Sequence, residues 1–154
     1  MNSRTVSPCW WKARRSDRMK TWFKQLRFST SSAQETVDLT REVVSAVRES
    51  KIKNGILVVQ LPHATAPLVL NESESGLKRD LMKHLNELVP PNGGYEHDRI
   101  DDNAHSHIKS AFIGSSVALP IIDGEIIRGT WQSFLVLEED GPRTRSMVVF
   151  VLGE

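Results

Sequence analysis

A change of residue periodicity partway along the chain sets the tightest limit on what it can fold into. In the first part, Val37, Thr40, Val44 and Val47 recur at helical intervals, as do Leu77, Leu81, Leu85 and Leu88. Apolar residues three and four apart form one stripe on a helix. From Phe112 onward the pattern becomes strand-favouring runs at 112–119, 125–127, 130–138 and 143–152, punctuated by Asp123-Gly124 and Asp140-Gly141. Asp-Gly between such runs favours hairpins, because Gly takes positive φ without a steric penalty. Two main helices early and a strand meander late predict an α+β fold with mixed or antiparallel sheets.

The local signals fill in this frame. Residues 21–28 read as a strand, and Ser32 with Glu35 has capping-box spacing at the start of the first helix. Asn54-Gly55 supplies the stop, and 56–61 is a short apolar run typical of a buried strand. The sequence Pro-Pro-Asn-Gly-Gly at 90–94 ends the second helix, whose leucine stripe is read as core. The strand at 130–138 is apolar on both faces and is expected to be central, with Trp131 packing in the core or stacking on a ring.

A chain of 154 residues with 39% hydrophobic and 25% charged residues fits one globular domain with its own core. No apolar run approaches the roughly 20 residues of a membrane span. The single Cys9 excludes an intramolecular disulfide framework, so a cytoplasmic location is expected. Residues 1–18 hold five basic residues against Asp17, a net +4 that leaves −3 for the remainder. This segment, with Cys9 and Trp10-Trp11, is read as a non-core N-terminal extension, and 19–154 as a single domain beginning at a second methionine, Met19. Basic residues elsewhere are dispersed, which argues against nucleic acid as a partner.

Chemistry-bearing residues concentrate at 101–107, which reads Asp-Asp-Asn-Ala-His-Ser-His. On an extended backbone Asn103, His105 and His107 would share one face, whereas on a helix His105 and His107 would diverge. Neutral imidazoles with carboxylates suit a divalent ion, magnesium or zinc, or general acid–base work near neutral pH. The structural alternative is a polar loop satisfying its own backbone. His63 follows a buried-strand candidate and Pro62, which places it at a strand end facing a cleft. With His105 and His107 it would complete three nitrogen ligands and leave one position open. His97 is the reserve ligand, and Glu72 and Asp102 would orient imidazoles or hold magnesium through its waters. His84, four residues after Asp80, is read as half of a surface pair.

Several segments can be matched together: LPHATAP at 61–67, Asn71-Glu72, the stretch at 101–107, Gly-Ser-Ser at 114–116, Gly-Thr-Trp-Gln at 129–132, and EEDGPRTR at 138–145. In this order and spacing they resemble the YjbQ-like family, over essentially residues 20–154. The resemblance implies an α+β domain built around a β-sandwich, assembled as a homotrimer with polar residues near the subunit boundaries. It also implies a secondary thiamine-phosphate synthase activity, joining a pyrimidine-methyl diphosphate to a thiazole phosphate. The family's His-Thr-Thr-Ala appears as His63-Ala64-Thr65-Ala66, so His63 and Thr65 carry over while one hydroxyl is missing. Asp102, Asn103, His105 and His107 match its Asp-Asn and paired histidines, and Trp131, Gln132 and Arg143 match further elements.

Expelling pyrophosphate requires cations and hydrogen-bond donors around the leaving group and two rings held in line. Arg143 is the leading diphosphate candidate and Arg145 shares its strand face, against the alternative of a solvated sheet edge. Ser115 and Ser116 beside Gly114 would add donors, unless they mark close packing. Gln132 would read a ring's polar edge. Catalytic roles therefore fall to His63, Asp102, His105 and His107, and substrate contacts to Thr65, Asn103, Ser115, Ser116, Gln132, Arg143 and Arg145. The expected ligand is a small phosphorylated molecule, with no organic cofactor. The alternatives are metal-assisted hydrolysis of a small phosphate or acyl compound, with Glu72 or Asp102 activating water, and a non-catalytic ligand-binding or assembly module.

Overall fold

Side-chain alternation decides where the strands go. The computed structural model describes residues 19–154, and the expectations for residues 1–18 fall outside it. In β8 (Thr144–Gly153), Arg145, Met147, Val149 and Val151 are buried while the residues between them turn to the other face. This strand lies between β1 (Lys20–Ser29) and β3 (Gly55–Gln60) in an antiparallel five-stranded sheet that continues from β3 through β5 (Ser116–Ile122) to β6 (Glu125–Ile126). A second antiparallel sheet has β7 (Ser133–Glu138) between β2 (Glu35–Asp38) and β4 (Leu68–Asn71). Leu57, Val59 and Val149 of the first sheet share one core with Leu68, Phe134 and Val136 of the second. The α+β class is thus as expected, and β7 is central, buried on both faces.

Helix α1 (Thr40–Ser50) closes the core with Val43, Ala46 and Val47. It starts later than the capping-box spacing predicts. The Glu35 carboxylate does accept the Ser32 amide at 3.2 Å, but the turn it closes leads into β2, where β-branched Thr36 and Val37 pair with β7. The helix also stops before Asn54-Gly55, with Lys51 in the left-handed region at φ 57°.

The leucine stripe of α2 (Ser75–Leu88) departs from its core assignment. No residue of this helix is buried, and Leu88 is 78% exposed. The helix is instead tied to the loop before β2 by reciprocal 2.9 Å hydrogen bonds between the side chains of Asn86 and Gln34. At its start, the Glu74 carboxylate accepts the amides of Gly76 and Leu77 at 2.7 and 2.8 Å, which hold its pKa down to about 2.

The late strands are not a meander. Asp123-Gly124 does form a hairpin turn, with both φ values positive, between β5 (Ser116–Ile122) and β6 (Glu125–Ile126). Asp140-Gly141 instead carries the chain from β7 in one sheet to β8 in the other. A third helix, α3 (Ala104–Ile113), takes up the second half of the polar 101–107 stretch and the start of the 112–119 strand, while residues 101–103 form the turn before it.

Candidate functional site

Glu138 and Glu139 are consecutive at the end of β7, so their side chains leave on opposite sides, and both are buried. Each meets a buried cation. Glu138 Oε2 accepts Arg145 Nε at 2.7 Å, and Arg145 NH2 also donates to Thr65 Oγ1 at 3.0 Å. Glu139 Oε2 accepts Lys109 Nζ at 2.7 Å and Gln34 Nε2 at 2.6 Å. Burial alone would raise the Glu138 pKa. Hydrogen bonds from Arg145, the Asp140 amide and Thr30 overcome this and hold it below the ordinary carboxylate value. Arg145 is therefore buried and paired with Glu138, and not the solvated edge that its strand position allows.

His63 stands in front of this layer, after β3 as expected. Its Nε2 lies 2.9 Å from the Ser146 amide and 3.1 Å from the Ser146 carbonyl oxygen. One backbone residue thus accommodates the ring in both states, donating to it when neutral and accepting from it when protonated. Burial lowers the His63 pKa first, and the nearby Arg145 lowers it further, more than Glu138 raises it.

Helix α3 brings the second histidine. Its first amide is capped by Asp98 Oδ1, which accepts the Ala104 N–H at 3.2 Å, and Asp98 belongs to a 3-10 turn at Glu96–Arg99. That cap fixes the turn against the helix. The His97 and His107 rings consequently meet edge to face, with centroids 5.0 Å apart and planes at 77°. His105, two positions from His107 on a helix, points elsewhere, as helical geometry requires. Gly114 ends α3 with φ 94° and ψ 163°, a conformation essentially reserved for glycine, and directs the chain into β5.

These elements form a cleft of 550 Å³ lined by His63, Ala64, His107, Ser110, Ala111, Gly114 and Ser115. His107 also lines a neighbouring cleft of 410 Å³ with Tyr95, Glu96, His97, Ala104 and Ile108. A larger groove of 850 Å³ along α1 contains none of the expected site residues.

The structure thus gathers His63, His107 and Ser115, with His97 beside them, and leaves the other expected residues outside the first cleft. Ser116 is exposed on β5. Asn103 and Arg143 are joined through Asp140, whose Oδ2 accepts Asn103 Nδ2 at 3.2 Å and pairs with Arg143 NH2 at 2.9 Å. Asn103 Oδ1 is buried without a hydrogen-bond partner among the described residues. Gln132 turns back to accept the Gly129 amide at 2.7 Å. Trp131 is 71% exposed, ahead of β7 and not in its core-facing row. Asp102 is exposed and Glu72 half-buried, and neither lines the cleft. Among the described residues no group of three or more His, Cys, Asp or Glu side chains is placed to hold a metal ion.

Lys109, Glu138 and Glu139 were missed in the sequence reading. Their signal was available: a lone lysine within the otherwise uncharged run Ser106–Ile113, and two glutamates directly continuing an apolar strand, where solvent is absent.

The family model described as "UPF0047 protein YjbQ-like" matches residues 24–154. The chain is 41% identical to a UPF0047 protein of Archaeoglobus fulgidus, over 83% of this chain and 99% of that one. It is 33% identical to the UPF0047 protein YugU of Bacillus subtilis, over 84% and 98% of the two chains. A crystal structure of a YbjQ-like protein of unknown function from Sulfolobus solfataricus superposes with a TM-score of 0.87 at 40% identity, covering 89% of this chain and 100% of that one. An uncharacterized family member from Clostridium acetobutylicum gives 0.79 at 36% identity, covering 83% and 98%.

Proposed function

The chain belongs to the UPF0047 YjbQ-like family, and from that premise we propose that it binds a small phosphorylated molecule in the His63–His107 cleft and there performs a weak thiamine-phosphate synthase reaction. The observation that carries the reading is the meeting of His63, His107 and Ser115 in one cleft backed by Arg145. Imidazole N–H groups and hydroxyls donate to phosphate oxygens. In the proposed reaction the thiazole nitrogen forms a bond to the pyrimidine methylene as its carbon–oxygen bond breaks, and the electron pair leaves with pyrophosphate. Donors fixed around the leaving oxygens stabilise that charge. A divalent ion, magnesium or zinc, belongs to this proposal only as a companion of the diphosphate.

Binding without chemistry is the second reading, favoured by Arg145, Lys109 and Arg143 each being matched to a carboxylate already. Hydrolysis is less well supported, since no carboxylate lines the cleft to activate water.

A homotrimer is part of the same proposal. The outer face of the five-stranded sheet carries the row Phe23, Phe150, Val58 and Ala118 beside the row Thr21, Leu152, Ile56 and Pro120. An open sheet face is ordinarily polar, and Phe23 is 72% exposed here, which supports subunit packing on this face. Among the described residues no helix is long and apolar enough to cross a membrane, and a cytoplasmic location is proposed with the rest. The reading is tested by titrating pyrophosphate into wild type and histidine variants, with thiamine phosphate formation measured alongside.

A further inference from the structure

We propose that the 420 Å³ cleft between β2 and α2 is a docking groove for an extended, acidic peptide segment of a partner protein, which adds to the three-stranded sheet as a new edge strand. No lining residue is shared with the His63–His107 cleft.

Strand β2 lies at the edge of its sheet and pairs with β7 on one side only. The Leu39 amide donates to the Phe134 carbonyl oxygen at 3.0 Å, in register with the β2–β7 ladder, so Glu35, Val37 and Leu39 are the residues whose backbones bond β7. Thr36 and Asp38 alternate with them. Their backbone N–H and C=O groups therefore point away from β7 to the open edge, where they form a template for another strand. Thr36 lines the cleft, and its Oγ1 is buried without a hydrogen-bond partner among the described residues.

The opposite wall is one face of α2. Ser75, Lys78, Arg79 and Met82 recur at spacings of three and four, which puts them on a stripe offset from the leucines. Among the described residues neither Lys78 nor Arg79 is ion-paired. The carboxylates around them are turned to the chain's own amides: Glu35 accepts that of Ser32, Asp38 that of Thr40, and Glu74 those that open α2. Two unpaired cations on the wall therefore select aspartate or glutamate in the occupant, and they oppose this chain's own net positive residues 1–18 in that place. Met82 supplies adaptable apolar contact for the side chains that alternate with the acidic ones.

A fluorescein-labelled peptide alternating valine and glutamate, titrated with the full chain and followed by fluorescence anisotropy, tests the groove against a counterpart with lysine in place of glutamate. The glutamate peptide is expected to saturate and to bind about tenfold more tightly than the lysine peptide. Thr36→Pro removes an outward N–H that the β7 ladder does not use, and Lys78→Glu with Arg79→Glu reverses the charge of the wall without touching the strand. Each variant is expected to weaken binding about tenfold with circular dichroism unchanged. No saturable binding of the glutamate peptide, an affinity that the charge reversal leaves unchanged, or equal or tighter binding of the lysine peptide, as occupancy by residues 1–18 would require, would overturn the groove. A folded Thr36→Pro protein that binds like wild type would overturn strand addition and leave only an anion site.

Discussion

Lys109 Nζ lies 2.7 Å from Glu139 Oε2 with both side chains closed to solvent, so a helix and a strand end are joined by a buried ion pair. Asn86 and Gln34 extend the same network to α2 and to the loop before β2. Removing one partner of such a pair leaves the other charge buried and uncompensated. Lys109→Met should therefore destabilise the protein by about 3–5 kcal/mol in urea unfolding. Adding Glu139→Met should recover much of that loss. A single variant as stable as wild type would show that the pair is not closed to water.

Acid stability should fall in two stages. His63 has a lowered folded pKa, so between that value and its ordinary value the unfolded chain binds more protons. Stability is complete above the ordinary histidine value and declines as pH falls through the window below it. Glu138 is also held below its ordinary value, so its contribution is present above the unfolded carboxylate value and is lost as pH falls toward the folded one. Urea midpoints recorded against pH should show both declines, and His63→Ala should remove the upper one alone. An unaltered upper stage in that variant would assign it to another group.

How far the sequence disclosed this arrangement depends on the range of the interactions involved. The strand periods, the Asp123-Gly124 hairpin and the strand-end position of His63 are local patterns and were legible. The helical state of His105 and His107 was not, because α3 depends on a cap from Asp98 and on Lys109 finding Glu139, thirty residues away. For the same reason the burial of Arg145 was not legible: its alternating position allowed either face, and only Glu138 in the other sheet decides it. The leucines of α2 misled because amphipathicity reports a half-covered helix as readily as a buried one.

Gly114 should be intolerant of a side chain. A Cβ there would meet nothing within 4 Å, so any loss comes from its backbone conformation at φ 94°. Gly114→Ala should cost about 1–3 kcal/mol. It should also weaken pyrophosphate binding by displacing Ser115, whereas full stability would show that α3 can end in another way.

Phe23→Glu places a charge in the outer apolar row without touching the core. Sedimentation should show a trimer for wild type and a smaller species for the variant, with the same circular dichroism. An unchanged mass would move the subunit boundary to another face.

The most direct measurement is a calorimetric titration of pyrophosphate into wild type, His63→Ala, His107→Ala and His105→Ala proteins. His63→Ala and His107→Ala should each weaken binding about tenfold or more, while His105→Ala, on the far side of the same helix, should bind like wild type. Equal affinities in all four proteins, or a loss confined to His105→Ala, would contradict the phosphate cleft.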